Sequence, residues 1–207
     1  SIDPLKYFKD GQRLEKQFFD TLYDDPDGLN DRSVFYTAQS YLDAREYELA
    51  LKWYSLYIKL KYTWIEQVFE SHLRIAKILI ELKKPYEEIK IHIHKAIQIF
   101  NDRSEPYFIL GKHCNYIKKQ GEAYNLLTKA LSCSYENASK NYLLFVQKQS
   151  YGKYILDELS ISCFWTRRFE EGKKYLLQIM DDPEFSFHKE RFLKNLEHFN
   201  NRLQTEE

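Results

Sequence analysis

Residues Arg32 to Leu60 read RSVFYTAQSYLDAREYELALKWYSLYIKL, and this stretch decides the fold. Ala38 sits in a first helical run and Ala50 twelve residues later in a second, with a turn near Ala44-Arg45-Glu46 between them. Tyr41, Tyr47 and Tyr54 fall at helical spacing around the two small residues. Small residues let two helices approach closely, and large aromatics three or four positions away fill the space beside them. One such hairpin cannot bury its apolar face alone, so it requires neighbours of the same kind.

The rest of the chain supplies them. Pairs of small or compact residues recur as Ala76/Ile89, Gly111/Ala123 and Ser160/Gly172. Together with Ala38/Ala50 they define four helix–turn–helix units at 32–60, 64–100, 105–133 and 153–180. Turn signals separate the helices within the later units: Lys83-Lys84-Pro85-Tyr86, Lys118-Lys119-Gln120-Gly121 and Arg167-Arg168-Phe169. A lone amphipathic helix is expected over 2–23, ending at the turn cluster Asp24-Asp25-Pro26-Asp27-Gly28. A long connection occupies 134–152, with a short helix expected around Tyr142–Gln149, and a charged capping helix covers 187–203. Residues 1–207 are read as one domain.

Composition narrows the function classes. The 207 residues carry 31 Lys+Arg against 31 Asp+Glu, so the formal net charge is zero, which argues against a nucleic-acid binder. With only 6 Gly and 5 Pro but 17 Tyr and 14 Phe, an all-α protein packed largely by aromatics is expected. No apolar run reaches the roughly 18 residues that suggest a membrane span. Nothing resembles a signal peptide, and the first residue is Ser rather than Met, which suits a fragment of a longer chain. Cys114, Cys133 and Cys163 form no CxxC pair and read as reduced core thiols, which suits a cytoplasmic location.

No catalytic or metal constellation emerges, so no enzymatic activity, cofactor or metal is expected of this chain. His92 and His94 are two apart on a helix and point about 200° away from each other. His72, His113, His188 and His198 lack metal-ligand spacing, and the acidic run at Asp24–Asp27 lacks the register of a calcium loop. The vicinal pair Asp157-Glu158 reads as carboxylates that pair with neighbouring helices. The basic pairs in the turns read as solvated turns that favour helix C-termini.

The repeat resembles the tetratricopeptide repeat (TPR), with its best matches at Leu110-Gly111…Ala123…Ala130 and Ala38-x2-Tyr41…Ala50-x3-Tyr54. The resemblance implies a right-handed α-α superhelix, a TPR-like solenoid of about four units with an extra lead helix and a capping helix. A narrower likeness runs through Phe35–Ala44, Tyr47–Leu51, Arg74-Ile75-Ala76, Pro85–Glu88, Glu105-Pro106, Leu144-Phe145-Val146, Leu156–Ile161 and Phe169–Gly172. These segments resemble helical-repeat regions associated with family 2-type glycosyltransferases of bacteria and large DNA viruses. That likeness implies an accessory C-terminal domain, with a glycosyltransferase catalytic domain in the same polypeptide as a partner. Departures include Arg45 where a Gly is usual, Lys77 after Ala76, and Gln120 where an aromatic is usual.

The expected working surface is the concave face lined by the first helix of each unit. Repeat register places there Phe35, Gln39 and Asp43; Leu73, Lys77 and Glu81; Phe108, Lys112, Asn115 and Tyr116; and Tyr154, Asp157 and Trp165. Solenoids use such faces to bind extended segments, so the expected partner is a protein or peptide, with no nucleic acid or membrane. Because Phe35, Leu73 and Phe108 stand where a carboxylate clamp needs polar groups, a chaperone-tail clamp is not expected. The competing reading is that several of these aromatics are buried against the lead or final helix.

Overall fold

A computed structural model describes residues 3–24, 31–61 and 63–206. Ile2, the Asp25–Gly28 part of the acidic turn and Tyr62 lie outside the described residues. The chain divides into two compact units, 1–100 and 101–207, and among the described residues all regular structure is helical.

The first unit holds α1 (Pro4–Asp24), α2 (Asp31–Asp43), α3 (Tyr47–Tyr57), α4 (Ile65–Glu81) and α5 (Tyr86–Ile99). Its two hairpins are α2–α3 and α4–α5, and α1 packs along α2. Aromatic rings drive this packing: Phe18 meets Trp53 edge-on at 5.3 Å, and Phe35 meets Tyr54 at 5.7 Å and Tyr57 at 5.3 Å. The Tyr57 hydroxyl donates to Gln67 Oε1 at 2.6 Å, tying α3 to α4.

The second unit holds α6 (Glu105–Tyr116), α7 (Gln120–Leu131), α8 (Tyr135–Asn141), α9 (Lys153–Trp165), α10 (Phe169–Ile179) and α11 (Lys189–Glu206). Its hairpins are α6–α7 and α9–α10, and α11 packs on α10. The small residues sit where close approach demands them. A Cβ on Gly111 would lie 2.7 Å from Leu127, and one on Gly172 would lie 2.7 Å from the Phe199 ring and 2.8 Å from the Cys163 Cβ. Cys114 and Cys163 are core thiols as expected, whereas Cys133 is only half-buried.

All four hairpins turn in the same way. Arg45, Lys83, Lys118 and Arg167 adopt left-handed backbone at φ 64°, 52°, 63° and 61°. After each, the next amide closes the helix end: Glu46 N to Tyr41 O, Lys84 N to Leu79 O, Lys119 N to Cys114 O, and Arg168 N to Cys163 O, at 2.8–2.9 Å. This is a Schellman closure, normally made with Gly. Here a basic residue accepts the left-handed strain and places its charge at the negative end of the helix dipole. Each left-handed residue lies seven positions after Ala38, Ala76, Gly111 or Ser160, so turn and small residue share one register.

The connection before α9 departs from expectation. Its helix lies at Tyr135–Asn141, capped by Ser134 Oγ accepting from Asn137 N, and residues 142–147 are irregular. Order there comes from a buried ion pair. Arg103 and Glu105, both 0% exposed, pair at 2.9 Å at the start of α6. Arg103 Nη2 donates to the carbonyl of Phe145 at 3.0 Å, and Phe145 is itself left-handed at φ 59°. Glu105 accepts from the Gln147 amide at 2.9 Å and the Tyr151 hydroxyl at 2.8 Å. A buried charge pair tolerates desolvation only when its remaining hydrogen-bonding capacity is filled, and the connection fills it.

Candidate functional site

Counting from the left-handed residue places the expected site residues on common positions. Two residues before it stand Asp43, Glu81, Tyr116 and Trp165, and six before it stand Gln39, Lys77, Lys112 and Ile161. All eight are at least partly exposed. Ten before it stand Phe35, Leu73, Phe108 and Asp157. Phe35 and Leu73 are 1% and 0% exposed, so they are core residues and not partner contacts, and Phe108 is half-buried. Each four-residue step overshoots a helical turn by about 40°, so two steps rotate this position towards the partner helix. Tyr154 also leaves the face: its ring packs at 5.8 Å from Phe185 and its hydroxyl donates to Glu184.

In the first unit the structure brings Asp43, Lys77 and Glu81 together around a hollow of about 550 Å³, with Leu42, Arg45 and Arg74. Burial raises the Asp43 carboxyl above its ordinary range, and the Arg74 guanidinium opposes this. Arg74 in turn pairs with the buried Glu70 carboxylate one turn earlier. Charges of both signs here share the lining with Leu42, Tyr47 and Ile78.

In the second unit a polar ladder crosses α6, α9 and α11. Asn115 Nδ2 donates to the carbonyl and the carboxylate of Glu158 at 2.8 and 3.1 Å, and Lys112 Nζ lies 3.8 Å from the same carboxylate. Burial raises the Glu158 carboxyl, while Asn115 and Lys112 hold it down. Arg191 grips Asp157 with two bonds, at 3.0 and 2.7 Å. The vicinal carboxylates thus pair with different neighbours, as their divergence on a helix requires.

Beyond the ladder the face becomes aromatic. Tyr116 is 81% exposed and Trp165 64% exposed. A hollow of about 160 Å³ opens between α9 and α11, with Ile161, Phe164 and Trp165 on one side and Asn195 and His198 on the other. A second hollow of about 450 Å³ shares Phe164 and Trp165 and adds Arg167, Phe169, Arg202 and Thr205. Sequence reasoning missed the α11 contribution because that helix reads as a closing cap. The available signal was its apolar stripe Phe192, Leu196 and Phe199, which lets α11 pack as a further first helix.

Another pair invisible in sequence is His72 with His92. Their Nδ1 atoms lie 3.0 Å apart across α4 and α5. Burial, then His92 and Lys95, push the His72 imidazole down to about 4. Among the described residues no cluster of three or more His, Cys, Asp or Glu could hold a metal ion, and no helix is long and apolar enough to cross a membrane.

No family model matches the chain, and no curated protein matches it. The glycosyltransferase likeness therefore finds no counterpart in either comparison. Among solved structures the chain is similar to that described as "Crystal structure of YrrB: a TPR protein with an unusual peptide-binding site", with a TM-score of 0.60 over 90% of this chain and 87% of that one. The fold is that of a TPR protein. At 11% identity the likeness speaks for the fold alone. Within the TPR fold, α2, α4, α6 and α9 are the first helices of the repeats and α11 stands where the next would begin.

Proposed function

We propose that this TPR chain is a non-catalytic interaction scaffold that binds an extended protein segment on the first-helix face of its second unit. One observation carries the reading. At the same repeat position, α6 and α9 expose the large aromatics Tyr116 and Trp165, where the first unit carries Asp43 and Glu81. An exposed Trp beside a hollow, rimmed by polar groups, has the composition of a binding hot spot. The YrrB description, a peptide-binding site on a similar fold, supports the same class of partner. The free thiols suit a reducing, cytoplasmic setting. An accessory role beside a glycosyltransferase domain rests on sequence resemblance only, and no feature of the face favours it.

The test is partner capture from the native source by the chain and by its Tyr116→Ala/Trp165→Ala variant. Both side chains are mostly exposed, so stability should change by no more than about 0.5 kcal/mol each. Capture should be lost while the circular dichroism spectrum is unchanged. Capture that survives both substitutions would overturn the assignment of this face.

A further inference from the structure

The histidine pair of the first unit plays no part in the scaffold reading. The α4–α5 hairpin brings His72 and His92, 20 residues apart in the chain, to an Nδ1–Nδ1 distance of 3.0 Å. Two nitrogens at that separation, each about 2.0–2.1 Å from one ion, would subtend an angle of about 95° there. Such an angle fits two adjacent positions of an octahedral or tetragonal shell, whereas a tetrahedral ion would hold the nitrogens about 3.3–3.4 Å apart. Burial holds both imidazoles below their ordinary range, His72 at about 4, so both rings are neutral near pH 7 and protons do not compete for the nitrogens. His72 is 6% exposed and His92 is half-buried, which leaves one side of the pair open to water. The two donors stand on packed helices, so little ordering is lost on binding.

We propose that His72 and His92 form a two-histidine chelate for a late divalent transition-metal ion of the Ni(II) type, with water completing its shell. Both donors are Nδ1, so both rings carry their proton on Nε2 when the ion is bound. In the metal-free chain one ring donates its Nδ1–H to the other ring's Nδ1. On binding, that ring passes this proton to water and takes one from water at Nε2, so no net proton is released. His94 lies about 200° around the helix from His92 and takes no part. The Lys95 ammonium acts on both rings, and it opposes a metal ion as it opposes a proton. A bound ion joins α4 to α5 and stiffens the hairpin. The site stands or falls independently of the peptide-binding face.

Titration calorimetry of the full chain with nickel chloride near pH 7 tests it. One ion per chain should bind more tightly than any other. His72→Gln and His92→Gln should each weaken that site by about tenfold or more, because losing either donor turns a chelate into a single imidazole. His94→Gln should leave it unchanged. Zn(II), which prefers a tetrahedral shell, should bind more weakly than Ni(II). Circular dichroism checks the fold of each variant, and the half-buried His92 carries the test if replacing the buried His72 unfolds the hairpin. Substoichiometric Ni(II) should broaden the imidazole NMR signals of His72 and His92 together, ahead of those of His94, His113, His188 and His198. Broadening of another histidine first, unchanged affinity in His92→Gln, or Zn(II) binding tighter than Ni(II) would each overturn the proposal.

Discussion

The two units obey one repeat grammar and end in different surfaces. In both, a left-handed basic residue closes the first helix seven positions after a small residue, and the same solvent-side positions follow from it. The first unit fills the position two before that residue with Asp43 and Glu81, and its hollow mixes charges of both signs with Leu42, Tyr47 and Ile78. The second fills it with Tyr116 and Trp165, and α11 adds a wall that places Trp165 at the rim of a hollow. Packing positions thus specify the scaffold, while a few outward positions, free of packing constraint, specify what it can hold.

The largest expected effect separates the units by how each is fastened. Arg103→Met leaves Glu105 buried without its cation and removes the donor to the Phe145 carbonyl. The second unit should lose about 3–5 kcal/mol, and the first almost nothing. Hydrogen exchange read separately over 31–99 and 105–206 checks this, and equal loss in both would show that the buried pair does not act on the second unit in particular.

The first unit has the complementary weakness. Folded His72 stays neutral down to about 4, whereas an unfolded His takes its proton near 6.5. Between those values the unfolded chain binds more protons, so stability is full above pH 6.5 and is lost as pH falls. The loss should reach about 3 kcal/mol by pH 4, read over α4 and α5. His72→Gln should flatten the profile; an unchanged profile would show that the His72–His92 contact is not its source.

A smaller pair of substitutions probes helix spacing in the second unit. Gly172→Ala drives a Cβ into Phe199 and Cys163 and should cost about 1–2 kcal/mol. Gly121→Ala meets nothing within 4 Å and should stabilise by about 0.5–1 kcal/mol through helix propensity. Thermal melts of the two should shift in opposite directions. The smallest effect tests the shared grammar itself. Arg45→Gly and Lys118→Gly each relieve a left-handed side chain but remove a charge from a helix C-terminus. Each should stabilise by up to about 1 kcal/mol, by a similar amount in either unit. Opposite signs would show that the two turns are not equivalent.

The scaffold was legible in sequence because it rests on local periodicity. Ala38, Gly111, Leu110, Leu159 and Gly172 mark the core whichever partner is considered. The site was half legible. Tyr116, Trp165, Lys112 and Asn115 follow from register, but Phe35 and Leu73 share that register to within a rotation that only packing reveals. Arg103 finds its acceptors about forty residues along the chain, and His72 finds His92 across a hairpin; neither leaves a periodic trace. The α11 residues were overlooked because closing a solenoid and lining a groove call for the same amphipathic helix.

The most direct test of the central claim is amide hydrogen exchange on the full chain, with and without a saturating amount of the protein partner captured from the native source. Protection should rise over 157–165 and 191–202 and stay unchanged over 39–47 and 74–81. Protection centred on the first unit's charged hollow, with the second unit's face unaffected, would contradict it.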